Sequence, residues 1–374
     1  MSFEAAAERE ATFITSPKRL AQTAVLVVVA IGGIYFLLPT VVGVEDAIAT
    51  LGRGDPLWIA VALAFGVAMF FAYVALFRGV VGEQILHLDW RESYEITMAG
   101  LAATRLFSAG GAGGMVLTYW ALRKAGMERR ETARRMVAFL VLLYAVYLLT
   151  LIVDGILLRT GVLSGNNPVG LTIVPAAIGG AIIVLLGLIT LIPGDFERRI
   201  ARYTSDGRMA AAARRLATAP ALLASGTRTA VDFVRGPSRG GLAVLGAVGF
   251  WAGNIGILWA SFHAFDVAVP LGVVIQGFFV GMFANLVPFV PGGVGAVDAG
   301  MIGTFVLFGI PGAPVFAAVL TYRLIAFWLP IPPGVVAFLQ LRHTVARWEQ
   351  GRRDGTLAPA GAGGGVTSES KVSV

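Results

Sequence analysis

The stretch Asn285-Leu-Val-Pro-Phe-Val-Pro-Gly-Gly-Val-Gly-Ala-Val-Asp298 breaks an otherwise apolar run with two prolines, three glycines and a carboxylate. A helix entering it from Leu271 loses backbone hydrogen bonds at Pro288 and Pro291, which have no N–H and crowd the preceding turn. Gly292, Gly293 and Gly295 then let the chain reverse direction. Inside a bilayer, non-helical backbone is tolerated only where it is buried in protein or lines a polar cavity. A break here marks a candidate site, provided that the run lies in a membrane.

Composition places it there. Of 374 residues, 57% are hydrophobic and 14% charged, with a mean hydropathy of +0.79, whereas soluble domains are about 45–50% apolar. The chain reads as an all-α polytopic membrane protein. The absence of cysteine excludes disulfides, iron–sulfur clusters and thiolate zinc sites. His87, His263 and His343 are far apart in sequence, so no metal and no other cofactor is expected. A formal net charge of +7 fits basic loops facing anionic lipid rather than nucleic acid.

Charge then orders the segments. Residues 1–19 are polar and end in Lys18 and Arg19, ahead of an apolar run over 20–42. That run is long enough to span and has no close small-x-small cleavage site, so it reads as a first spanning helix rather than a signal peptide. Further spans are expected over 57–80, 136–158, 170–192, 241–265 and 315–339. Only about 12 residues separate Ile96 from the Gly-rich turn at Ser108, roughly 18 Å of helix and too short to cross. The chain leaves this segment at Arg123, Lys124, Arg129, Arg130, Arg134 and Arg135, a cluster that belongs inside. Residues 96–122 are therefore expected to form a re-entrant hairpin opened from the cytoplasm. By the same counting, 271–308 is a hairpin opened from outside, because the final span must end inside before Arg342, Arg347, Arg352 and Arg353.

The expected organisation is a cytoplasmic N-terminus (1–19), a first membrane half (20–193), a basic cytoplasmic loop (194–239), a second membrane half (240–341) and a disordered cytoplasmic tail (342–374). In the basic loop, Phe196, Ile200, Tyr203 and Leu216 either lay a helix on the bilayer or belong to a solvated linker. Gly249-x-x-x-Gly253 reads as a close helix contact. About six full crossings and two hairpins of opposite polarity make an inverted repeat, which in transporters places the substrate where the broken elements meet.

The run N-x-x-P-x-x-P-G-G-x-G-x-x-D, with Thr321-Tyr-Arg-Leu-Ile-Ala-Phe-Trp-Leu-Pro330 after it, resembles the lysylphosphatidylglycerol synthase transmembrane-domain family, the flippase-like membrane proteins. That family usually has Glu where this chain has Asp298; the change keeps the charge and shortens the reach. Arg105-Leu-Phe-Ser-Ala-Gly-Gly-Ala-Gly-Gly114, then Ala121-Leu-Arg-Lys-Ala-Gly126, is similar to the family's earlier Gly-rich segment, without the proline often found there. The resemblance covers roughly residues 20–345. It implies movement between leaflets of a lipid with an anionic or modified head group, such as an aminoacylated phospholipid or a polyprenyl-linked sugar. The family's two-part members append a soluble aminoacyl-transferase domain; here only a short tail follows, so lysylation by this polypeptide is not expected. No His/carboxylate cluster, Ser/His pair or metal spacing supports an enzyme.

Breaking a helix in a membrane exposes an N-terminus with unpaired N–H groups and partial positive charge, which favours an anion. The returning arms begin at Gly113-Gly114, after Gly110 and Gly111, and at Gly292-Gly293. Either both point at one phosphate or the glycines only permit tight packing. Three ionisable residues fall at membrane depth: Arg105, Asp298 and Arg323. One reading pairs Asp298 with an arginine. The other has the arginines bind a lipid phosphate through their planar forks while Asp298 couples its release, for example by taking a proton. Gln276, Asn285 and Tyr322 would add neutral hydrogen bonds to a head group; Tyr322 also suits an interfacial anchor. Asp154, near the outer end of its helix, is left out. The expected partners are membrane lipids with anionic head groups and no nucleic acid, with a homo-oligomer left open. Arg in excess of Lys, with abundant Ala and Gly, suggests a prokaryotic cytoplasmic membrane with both termini inside. Two rival readings stay open: an ion-coupled carrier of a small organic anion, and a non-transporting membrane subunit of a lipid-modifying system.

Overall fold

A computed structural model describes residues 53–82, 88–106, 112–191, 208–283 and 295–354. The expected span at 20–42, Gly110, Gly111, Asn285, Pro288, Pro291, Gly292, Gly293 and the tail from 355 lie outside the described residues. The elements are α1 (Pro56–Val81), α2 (Trp90–Leu106), α3 (Ala112–Lys124), α4 (Arg129–Arg159), α5 (Val169–Ile189), α6 (Arg208–Arg235), α7 (Pro237–Ala264), α8 (Leu271–Met282), α9 (Ala296–Leu307), α10 (Gly312–Arg323), a π-helical turn (Leu324–Trp328) and α11 (Ile331–Arg353). Their ends follow local chemistry. Asp55 caps α1 by accepting the Leu57 N–H at 2.8 Å ahead of Pro56 at the first helical position.

Helices α1, α4, α5 and α7 and the run α10–α11 are each long and apolar enough to cross a membrane. They correspond to five of the expected spans. Large apolar side chains such as Val67, Phe71, Val184, Leu188 and Leu245 are exposed on them. That is a surface made for lipid, which solvates apolar groups without penalty. By contrast, α8 and α9 have 12 residues each, about 18 Å, and cannot span a hydrocarbon core of about 30 Å.

The most extensive contact is between α1 and α7, and small residues make it. A methyl added to Gly246 would stand 2.3 Å from Leu76 N, one on Gly253 2.6 Å from Met69 Cβ, and one on Gly256 2.5 Å from Phe65 Cδ1. Gly249 lies in the same stripe, 2.9 Å from Ala72 Cβ by the same test. The pair expected from Gly249-x-x-x-Gly253 is therefore half of a longer seam. An aromatic core sits where α4, α7 and α8 meet: Trp251 and Phe279 pack edge to face on Tyr147, and Trp251 Nε1 donates to Leu143 O at 2.7 Å.

The two short helix pairs are held at opposite ends of the bundle. At the basic end, Thr344 of α11 donates to Glu95 of α2 at 2.7 Å, Lys124 of α3 pairs with Glu349, and Arg135 of α4 donates to Val80 O. At the other end of α4, Leu158 and Leu163 close on Gly272 at the start of α8, and Asn166 donates to Phe308 O after α9 at 3.3 Å.

Three segments differ from the sequence expectation. The polar stretch before residue 96 is already helical from Trp90, so α2 is longer than the first arm of the hairpin. From Arg208 onward the basic loop is α6, which packs on α4 and α7; Phe196, Ile200 and Tyr203, on which the surface-helix reading rested, lie outside the described residues. Its arginines hid a face that buries Ala224, Thr227, Ala230 and Phe233. Finally, α11 runs on to Arg353, because its basic residues lie on a helix whose other face, Phe338, Leu341, Val345 and Trp348, is buried.

Candidate functional site

The site grows from the kink between α10 and α11. In an unbroken α-helix Ala326 O would accept from residue 330, but Pro330 has no N–H. The turn before it widens to π, with Leu329 N–H bonded to Leu324 O at 2.8 Å. Carbonyls are left over, and Arg105 at the end of α2 serves them. Its Nη1 donates to Phe327 O at 2.6 Å and its Nη2 to Ala326 O at 2.8 Å. Two of its five donors are thus committed to backbone.

Arg323 reaches the same turn from α10. Its Nε lies 2.7 Å from Asp298 Oδ1, with the arginine side chain 8% exposed and the aspartate 20%. The pair is closed on its cationic side and open on its anionic side. The other carboxylate oxygen, Asp298 Oδ2, accepts the Gly295 N–H at 2.8 Å. Gly295, at φ +82°, begins α9 and has no side chain to cap it, so Asp298 at the third helical position does so. Its negative charge there also meets the positive end of the helix dipole. Both guanidinium groups approach the ring of Phe327, Arg323 at 4.4 Å and Arg105 at 5.0 Å. The end of α2, through Arg105, and the start of α9, through the Asp298–Arg323 pair, are thus linked by one aromatic ring.

The remaining candidates spread out. Tyr322 donates from its hydroxyl to Asn254 Oδ1 at 2.9 Å and packs on Phe278, one residue from the charged pair but facing the core. Gln276 lies elsewhere, fully buried and donating to Leu171 O of α5 at 2.7 Å. Gly113 and Gly114 are buried at the start of α3, where a methyl on Gly114 would stand 2.0 Å from Thr104 Oγ1 and 2.3 Å from Gly100 O. For Gly114, close packing of α2 on α3 accounts for the glycine. Sequence reasoning singled out neither Phe327 nor Asn254. Pro330 was the available signal for Phe327; nothing in an apolar helix marks Asn254.

Beside the turn runs a groove of about 480 Å³, walled by Leu63, Val67, Phe70 and Phe71 of α1, Trp90 and Met98 of α2, and Ile325 and Leu329. Its size falls in the range of about 300–1,000 Å³ usual for small-ligand sites. Arg78 stands over Trp90 at one edge, 5.1 Å from the ring, and donates to Leu88 O at 2.6 Å.

Among the described residues, a helical bundle with five segments long and apolar enough to cross a membrane, shorter apolar helices and a buried charged cluster defines a multi-pass membrane protein. The chain belongs to the family described as the lysylphosphatidylglycerol synthase TM region, which it matches over residues 19–334. The resemblance read from Asn285–Asp298 and Thr321–Pro330 is thus established. Two curated relatives, each described as a UPF0104 membrane protein of Methanothermobacter thermautotrophicus, are 33% identical over 79 and 87 residues, or 21% and 23% of this chain. The match spans about a quarter of those relatives, 24% and 26% of their lengths.

Proposed function

We propose that the protein moves a lipid with an anionic or modified head group between leaflets, and that it is a transporter rather than an enzyme. The observation that carries this reading is the meeting of Arg105 and Arg323 at Phe327, with Asp298 paired to Arg323, directly beside an apolar groove that shares the π turn as a wall. A lipid needs both environments at once: cations for its phosphate and a hydrocarbon surface for its chains. Arginine forks suit phosphate because they engage two oxygens. The opposite entry of the two hairpins supports an inverted repeat of re-entrant elements, the arrangement by which transporters expose one site to either side in turn. In this reading the basic end, with Lys124, Arg123 and Arg135, faces the cytoplasm of a prokaryotic cell. The Asp298–Arg323 pair is then the resting state, and the incoming phosphate takes the place of the carboxylate on Arg323.

Reconstituted vesicles carrying a fluorescent anionic phospholipid test this. Arg323→Ala is expected to abolish translocation while Arg323→Lys retains part of it, both proteins inserting normally. Wild-type rates in Arg323→Ala remove the residue from the mechanism. Uptake of a water-soluble organic anion without lipid movement replaces the lipid reading with that of a small-anion carrier.

A further inference from the structure

Asp154 on α4 is 4% exposed, and its Oδ2 is buried without a hydrogen-bond partner. Across the junction, Gln276 of α8 is fully buried and its Oε1 also lacks a partner. The helices are in close contact here: a methyl on Gly155, the next residue, would stand 3.1 Å from Gln276 Nε2 and 2.8 Å from Thr172 O of α5. Asp154 is thus next in sequence to a residue packed against both α5 and α8, and among the described residues neither its Oδ2 nor Gln276 Oε1 has a donor.

Among the described residues no cation is at hand. Neither α5 nor α8, the helices packed on this end of α4, contains Asp, Glu, His, Lys or Arg. On α7, Arg239 is at the far end and the ring of His263 lies against Trp58 and Trp259. On α4 itself, Arg159 reaches Asn167 Oδ1 at 3.4 Å, Tyr147 donates to Phe279 O, and Tyr144 is exposed. The helices α1, α3 and α6 meet the opposite end of α4, where Arg134 and Arg135 pair with Glu131. An ionised carboxylate buried without a partner is strongly disfavoured. A sodium ion would need a full shell of oxygens; a proton needs a single acceptor.

We infer that Asp154 is a proton-binding site, which holds its proton while α8 is packed on α4 and gives it up when that junction opens. On opening, the O–H bond of the acid breaks, the proton passes to water and the electron pair stays on the carboxylate. Asp154 lies six residues before Thr160 at the end of α4, roughly 9 Å along the axis, so a modest opening brings water to it. Because α8 is one arm of the hairpin whose other arm carries Asp298, proton occupancy would bias the position of that hairpin. The protonation itself is independent of what the protein transports.

The test uses the full chain in lipid nanodiscs. Infrared difference spectra at neutral pH should show a protonated-carboxyl C=O band in wild type that is absent from Asp154→Asn and unchanged by sodium. Opening of α8, read as hydrogen exchange corrected for the intrinsic pH dependence of amide exchange, should rise with pH in wild type and stay low at every pH in Asp154→Asn, which mimics the protonated acid. Should the Asn variant not fold, a shift of the same band in Asp154→Glu makes the assignment. Absence of the band overturns the inference, as does its loss on adding sodium, which would make this a metal-cation site. Equal pH dependence of α8 exchange in both proteins removes the link to the hairpin. Each readout is separate from lipid movement, so failure here and failure of the transport reading are distinguishable.

Discussion

Arg105 and Arg323 share a ring but do different work. Arg105 replaces donors that Pro330 cannot supply, so Arg105→Ala leaves Ala326 and Phe327 carbonyls bare, at about 1–3 kcal/mol for each buried group. The expected outcome is a lower thermal unfolding midpoint in detergent, with Arg105→Lys in between because one ammonium cannot span both oxygens as the fork does. Arg323 instead holds the carboxylate that caps α9. Asp298→Asn keeps an oxygen for the Gly295 N–H but removes the ion pair, so the double variant Asp298→Asn/Arg323→Gln should be destabilised by less than the sum of the two single variants. A double-mutant cycle on unfolding should give a coupling of about 0.5–3 kcal/mol; additive losses would show that the pair contributes nothing. These three charges were legible in the sequence because a charge in an apolar run is conspicuous. Phe327 and Asn254 were not, since an aromatic and an amide among apolar residues carry no periodic mark. Asp154 was read as lying near a helix end; it is buried in the folded bundle, on a helix packed by α5 and α8, and no local pattern encodes that.

At the level of elements, glycine distinguishes seam from surface. Gly246 faces the backbone of α1 and Gly249 only the Ala72 methyl. Gly246→Ala is therefore expected to lower folded yield and unfolding temperature well beyond Gly249→Ala, with overpacking costs of about 1–3 kcal/mol where the neighbour is backbone. Equal effects would mean that the α1–α7 seam is looser than described. Five spans and both short helix pairs could be read directly, because apolar length and Gly/Pro breaks are local properties. The helix α6 and the continuation of α11 could not. Each sets arginines on one face and apolar residues on the other, and a reading by charge density saw only the arginines.

For the whole molecule, the central claim is that two hairpins enter from opposite faces and meet at Phe327. The chain has no cysteine of its own, so single cysteines report cleanly. Asp89, just before α2, and Leu271, at the start of α8, are both exposed, the latter at 54%. The most direct measurement is labelling of Asp89→Cys and Leu271→Cys in sealed, uniformly oriented vesicles with a membrane-impermeant maleimide. The fold described predicts that the two positions react from opposite sides of the membrane; reaction of both from the same side would contradict it.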